Sequence, residues 1–192
     1  MILATGCEKD QEEKDTGGGS NTEEFLASTT AEKRTAVLED FTGVRCGYCP
    51  QGHIIAEGIE EKHDDKFITI AVHSGPYADA RVGWANFTNE FSNAIQIQAS
   101  PIGYPAGTIN RILYSDLLQV SGARSSKIAM SRGYWEDATN RTMALDAPVN
   151  LGAKATFDEA SRELTIKVDV YYTANEAVPN NLNIALLQDG LV

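Results

Sequence analysis

The sequence predicts an α/β domain followed by the start of an antiparallel β domain, and two observations carry that reading. A β-rich apolar stretch at 34–41 (RTAVLEDF), a helical stretch at 54–62 and a near-continuous β-branched run at 67–73 (FITIAVH) occur in succession. Strand, helix and strand in about 40 residues read as a βαβ unit with two parallel strands covered on both faces. From Ala147 onward the apolar residues alternate with period two, which is the pattern of a half-buried hairpin. A chain of 192 residues fits one domain plus a remainder too short for a second full one.

Lysine plus arginine number 16 and aspartate plus glutamate 27, for a formal net charge of −11. That balance argues against nucleic acid as a partner, which needs a basic stripe to displace counterions from phosphates. It argues equally against electrostatic docking on an anionic membrane surface. No apolar run approaches the roughly 18 residues needed to span a bilayer.

Residues 1–31 read as a tether. After Cys7 the chain is polar and acidic and is broken by Gly17, Gly18 and Gly19, with little apolar surface to offset the entropy of ordering. Leu3-Ala4-Thr5-Gly6 leading into Cys7 resembles the cleavage site of a bacterial lipoprotein signal, which would make Cys7 the lipid-attachment residue. The basic start and apolar stretch of such a signal are absent, so a stray tail cysteine is the alternative.

The domain proper is expected at 32–146. Beyond the βαβ unit, residues 84–98 read as a helix with Trp84, Phe87, Phe91 and Ile95 on one face. Residues 107–114 read as a strand, and 126–145 as a helix with Ile128, Met130, Trp135 and Met143 reaching the core. At 147–192 a partial β domain is expected. Strands at 149–157 and 164–172 join through a turn at Asp158, and a third strand runs over 182–187. Asp189-Gly190 then signals a further turn with only Leu191 and Val192 beyond it, as though the β domain were cut short.

Cys46-Gly47-Tyr48-Cys49 lies between the first strand and its helix. A thiol at a helix start faces unpaired backbone N–H groups and the positive end of the helix dipole, and both favour thiolate. Cys46 is therefore the candidate nucleophile and Cys49 the resolving thiol. Arg45 adds positive charge if it turns toward the sulfur, and Pro50 is tolerated in a first turn that starts close to Cys46. Cys46, Cys49 and His53, with His73, could instead form a zinc site, but no second cysteine pair completes it. His53 reads as a solvent-facing or capping residue, His63 as solvated, and His73 as a partly buried structural histidine near the end of its strand. Tyr134 and Trp135 read as core.

The Val37-Leu38-Glu39-Asp40-Phe41 strand with its Cys-x-x-Cys resembles the active-site strand and helix of the thioredoxin superfamily. Ile102-Gly103-Tyr104-Pro105-Ala106-Gly107-Thr108 is similar to that family's cis-proline segment. The resemblance spans about 34–145 and implies a thioredoxin-like fold, with the extra length at 74–100 as a mostly helical insertion. It implies that Asp40 is a buried acid assisting proton transfer at the resolving cysteine. Tyr104 and Pro105 would bind the substrate backbone, beside Gly47 and Tyr48 between the cysteines. Gly47-Tyr48 matches the pair in the periplasmic disulfide isomerase of the superfamily. The tryptophan that often flanks the first cysteine is replaced by Val44-Arg45. With its tether and β-rich end, the layout is similar to bacterial outer-membrane lipoproteins of the thioredoxin-like, twenty-eight-kilodalton outer-membrane protein family.

Two functions follow as expectations. One is an extracytoplasmic thiol–disulfide oxidoreductase or isomerase, lipid-anchored in the cell envelope, working on protein thiols or disulfides with a redox partner protein and without a cofactor. The other is a non-enzymatic surface lipoprotein that uses the fold as an interaction scaffold.

Overall fold

The computed structural model describes the backbone of Ile2–Leu3, residues 24–188 and Gly190. Cys7, most of the expected tether, and Asp189, Leu191 and Val192 of the expected final turn lie outside the described residues. The chain divides into two compact units, Lys33–Leu145 and the described residues of Met1–Glu32 with those of Asp146–Val192.

The larger unit is α/β, built on a five-stranded mixed sheet. Strand β1 (Ala36–Thr42) is almost wholly buried and has a neighbour on each side. It lies parallel to β2 (Phe67–His73), from Ala36 opposite Phe67 to Thr42 opposite His73. Helix α1 (Cys49–His63) makes the crossover and buries Cys49, Gly52, Ala56 and Ile59, the three- and four-residue spacing of one helical face. On the other side of β1 runs β3 (Ala106–Ile109), antiparallel, with Leu38 opposite Ile109 and Phe41 opposite Ala106. Strands β4 (Leu118–Ser121) and β5 (Arg124–Ser131) complete the order β2-β1-β3-β5-β4. The core gathers Leu38, Ala56, Ile59, Phe67, Ile109, Met130 and the fully buried Trp135.

Three expectations fail in this unit. The helix expected at 84–98 is α2 (Glu90–Ala99), because Asn89 caps it: its side chain accepts from Ser92 N at 2.8 Å, while Ser92 Oγ accepts from Asn89 N. The insertion at 74–100 is thus helical only in its last part. The strand expected to run to Tyr114 ends at Ile109, since Asn110 and Arg111 both take positive φ (49° and 54°). Asn110 continues the pairing with its side chain, accepting from Val37 N and donating to Thr35 O, and Arg111 closes on the buried Glu39. The helix expected over 126–145 is strand β5 as far as Ser131, and the helix α3 (Trp135–Met143) follows it. Gly122, at φ 60°, turns β4 back onto β5, and that pairing overrides the helical preference of Ala129 and Met130.

The smaller unit is a hairpin of β6 (Val149–Asp158) and β7 (Glu163–Tyr172), paired in unbroken register over all ten positions. Leu151, Ala153, Ala155 and Phe157 face Val170, Val168, Ile166 and Leu164, so the alternation places one apolar face. Asp158 Oδ1 accepts from Ala160 N and Ser161 N and shapes the turn. The third strand is only Asn183–Ile184, paired with Ile2–Leu3. Part of the stretch read as tether packs on the hairpin instead. Leu26 N donates to Asp169 Oδ2 at 2.7 Å, Asn150 Nδ2 donates to Ser28 O and Thr30 O, and Gly152 leaves room for the Leu26 backbone. Among the described residues no helix is long and apolar enough to cross a membrane.

Truncating the fully buried ring with Trp135→Ala is expected to cost about 3–5 kcal/mol in chemical denaturation. A loss below about 1 kcal/mol would place the core elsewhere.

Candidate dithiol site

Cys46 and Cys49 form a disulfide, with their Cα atoms 5.4 Å apart. Cys49, not Cys46, is the first residue of α1, and Pro50 follows it where a missing N–H costs nothing. Cys46 occupies the preceding turn, its N–H donating to Gly43 O and its carbonyl accepting from Cys49 N. The two sulfur-bearing residues are not equally accessible. Cys46 is half-buried and Cys49 is 2% exposed, so Cys46 is the more accessible of the two.

Arg45 does not serve the sulfur. Its guanidinium donates to Pro76 O and stands 3.9 Å from Asp79 Oδ2, while its N–H donates to Tyr77 O. Gly43 makes this docking possible, because a Cβ there would lie 2.4 Å from the Tyr77 backbone. Gly47 has open space beside it and Tyr48 is 68% exposed, so the residues between the cysteines face solvent.

The Tyr104–Pro105 peptide bond is cis and Pro105 is buried. A Cβ built on Gly52 would stand 3.1 Å from Pro105 Cβ, which puts the proline loop against α1 one turn beyond Cys49. Tyr104 turns its ring toward Tyr77, with centroids 5.5 Å apart, and onto Gly75, whose φ is 68°. Its hydroxyl is buried without an aligned partner, and burial pushes its pKa up. The loop is held from β4. Gln119 Oε1 accepts from Ile102 N at 2.9 Å, and Nε2 donates to Gly103 O. Nothing in the sequence reading pointed to Gln119; its signal was only a polar residue in an unread strand.

Asp40 lies on the face of β1 shared by Leu38 and Thr42, fully buried, and neither carboxylate oxygen has an aligned hydrogen-bond donor. His53 Nε2 approaches Oδ2 to 3.3 Å, an ion-pair distance, and stands equally far from Thr42 Oγ1. Burial raises the Asp40 pKa, with His53 opposing. The neighbouring Asp40 raises that of His53, against partial burial. His73, opposite Thr42 in the parallel register, is shifted down, first by burial and then by the charge of His53. Its Nδ1 is buried without a partner and its ring lies 5.1 Å from Phe87. His53, read as solvent-facing or capping, is thus half-exposed and aimed at the buried acid. The available signal was its position four residues after Cys49. Among the described residues no three His, Cys, Asp or Glu side chains gather as a metal site.

Compared with known proteins, the chain finds no counterpart: no family model, no curated protein and no solved structure matches it.

The two shifts set a pH dependence. The stabilisation from protonated Asp40 is full below the ordinary aspartate value and is lost as pH rises through its raised value, because the folded state holds that proton more tightly than the unfolded one. The stabilisation from protonated His53 is present below the ordinary histidine value and is lost as pH rises through its raised value. Asp40→Asn is therefore expected to raise the melting temperature, by a margin that widens as pH rises from the ordinary aspartate value through the raised values of Asp40 and His53. A margin that narrows would contradict the burial account.

Proposed function

We propose that the chain is a thiol–disulfide oxidoreductase of the thioredoxin-like class, working on protein thiols and disulfides. The observation that carries this is the disulfide's unequal burial, half-exposed Cys46 ahead of α1 and buried Cys49 opening it. The Pro105 loop, packed against the same helix at Gly52, supports it further.

In the reducing direction, Cys46 thiolate attacks a substrate disulfide, forming a mixed disulfide and releasing one substrate thiolate. Cys49 then loses its proton and attacks Cys46 Sγ. The Cys46–Cys49 bond forms, the bond to substrate breaks, and the second substrate sulfur leaves with the electron pair. Two electrons pass to the substrate, and the reverse sequence oxidises substrate thiols. Asp40 receives the Cys49 proton, directly or through one water. Gly47, Tyr48, Tyr104 and Pro105 present the substrate surface. The same reading makes Cys7 a lipid anchor and the cell envelope the place of action, with a redox partner protein restoring the dithiol.

A second reading, an interaction scaffold, draws on the apolar hairpin face, where Leu151 and Phe157 are 59% and 52% exposed. Turnover in an insulin-reduction assay separates the two. The oxidoreductase predicts that Cys46→Ser falls to the uncatalysed background and that Cys49→Ser accumulates a mixed disulfide on a non-reducing gel. Equal turnover by wild type and Cys46→Ser would contradict it.

A further inference from the structure

We propose that His53 is the positioning residue for Asp40 and the outlet to solvent for the proton released by Cys49. This rests on the oxidoreductase reading and extends it to the route of the proton. Asp40 is fully buried, so a proton it accepts has no direct way to water. The basic group that reaches it is His53, with Nε2 3.3 Å from Oδ2 and a side chain 47% exposed. His53 sits one helical turn beyond Cys49 on the same side of α1. One residue therefore connects the helix turn of the resolving thiol, the buried carboxyl and the solvent.

The surroundings make His53, rather than its neighbour, the carrier. Two titratable groups act on it, Asp40 from β1 and Glu57 from the next turn of α1, and its own charge acts in turn on His73 from β2. Asp40 and Glu57 both favour its protonated form. His73 is disfavoured as a proton carrier by burial and by the charge on His53 itself. Thr42 Oγ1, 3.3 Å from Nε2, is a second polar contact that holds the ring at the carboxyl.

During resolution Cys49 gives its proton to Asp40, and Cys49 thiolate displaces the substrate sulfur from Cys46. Asp40 passes the proton to His53, which yields it to water or to the departing thiolate. No proton or electron is left over, and the pair returns to its starting state. An Asp40–His53 pair that already holds a proton accepts the one from Cys49 less readily. The resolving step therefore accelerates as pH rises through the titration of His53.

The test uses the full chain carrying Cys7→Ser, reduced, with the aromatic disulfide 5,5′-dithiobis(2-nitrobenzoate). Attack by Cys46 releases one coloured thiolate, and resolution by Cys49 releases a second in a later phase. The second-phase rate is measured against pH, and His53 is titrated separately by proton NMR in the oxidised protein. In wild type the kinetic inflection is expected to coincide with the NMR midpoint. His53→Gln is expected to move that inflection by about one pH unit or more. Asp40→Asn is expected to lower the NMR midpoint of His53, a readout that needs no activity. A His53→Gln profile that superimposes on wild type overturns the proposal, as does a His53 midpoint indifferent to Asp40→Asn. Absence of the second phase in wild type would overturn the proposal together with the resolving role of Cys49. Normal phases without insulin reduction would instead count against the protein-substrate reading alone.

Discussion

The dithiol end of the larger unit depends on how closely the proline loop and Trp135 approach the sheet and helix at two glycines. A Cβ on Gly52 would stand 3.1 Å from Pro105 and 3.2 Å from the Trp135 ring, and one on Gly107 2.6 Å from Leu38 Cδ1. Neither glycine is there for a positive φ; each is there because a side chain would fill the space a neighbour occupies. Trp135, with no exposed surface, is the wedge both glycines accommodate. Its Nε1 has no hydrogen-bond partner, a cost of about 1–3 kcal/mol that the burial of so large a ring outweighs. A larger residue at Gly52 would push Pro105 away from the helix that begins with Cys49, and one at Gly107 would displace Leu38 or Trp135.

That close packing also explains the electrostatics. Seating α1 on β1 removes Asp40 from water, and the same approach brings His53 to its carboxyl. A lone buried carboxyl would be held protonated; with a half-exposed histidine beside it, its proton has a partner in the neutral range. His73, on the adjacent strand, is pushed the opposite way by burial. Two histidines within one small cluster are thus shifted in opposite directions, His53 up beside Asp40 and His73 down by burial.

Much of the frame was legible in the sequence. The β-branched run at 67–73 and the apolar stretch ahead of the cysteines carry their own periodicity, and so does the hairpin. What was not legible depends on partners distant in the chain. Residues 126–131 hold helix formers and become a strand because Gly122 returns β4 alongside them. Residues 110–111 look extended until Asn110 turns the chain and satisfies the Thr35–Val37 backbone. At the site, the cysteines and Pro105 could be read from local pattern. The pairing of His53 with Asp40 could not, because it requires knowing which face of α1 meets which face of β1. Arg45 fails for the converse reason: adjacent to Cys46 in sequence, it is taken up by Pro76 and Asp79 of a loop the sequence left undefined.

The central claim is that the Cys46–Cys49 pair cycles between disulfide and dithiol rather than serving as a fixed cross-link. Its reduction potential tests this most directly, measured by equilibrating the full chain in graded thiol–disulfide buffers and counting alkylated cysteines by mass. The account predicts a value between about −120 and −270 mV, the span of catalytic dithiols. A value below about −300 mV, where structural disulfides lie, would contradict it.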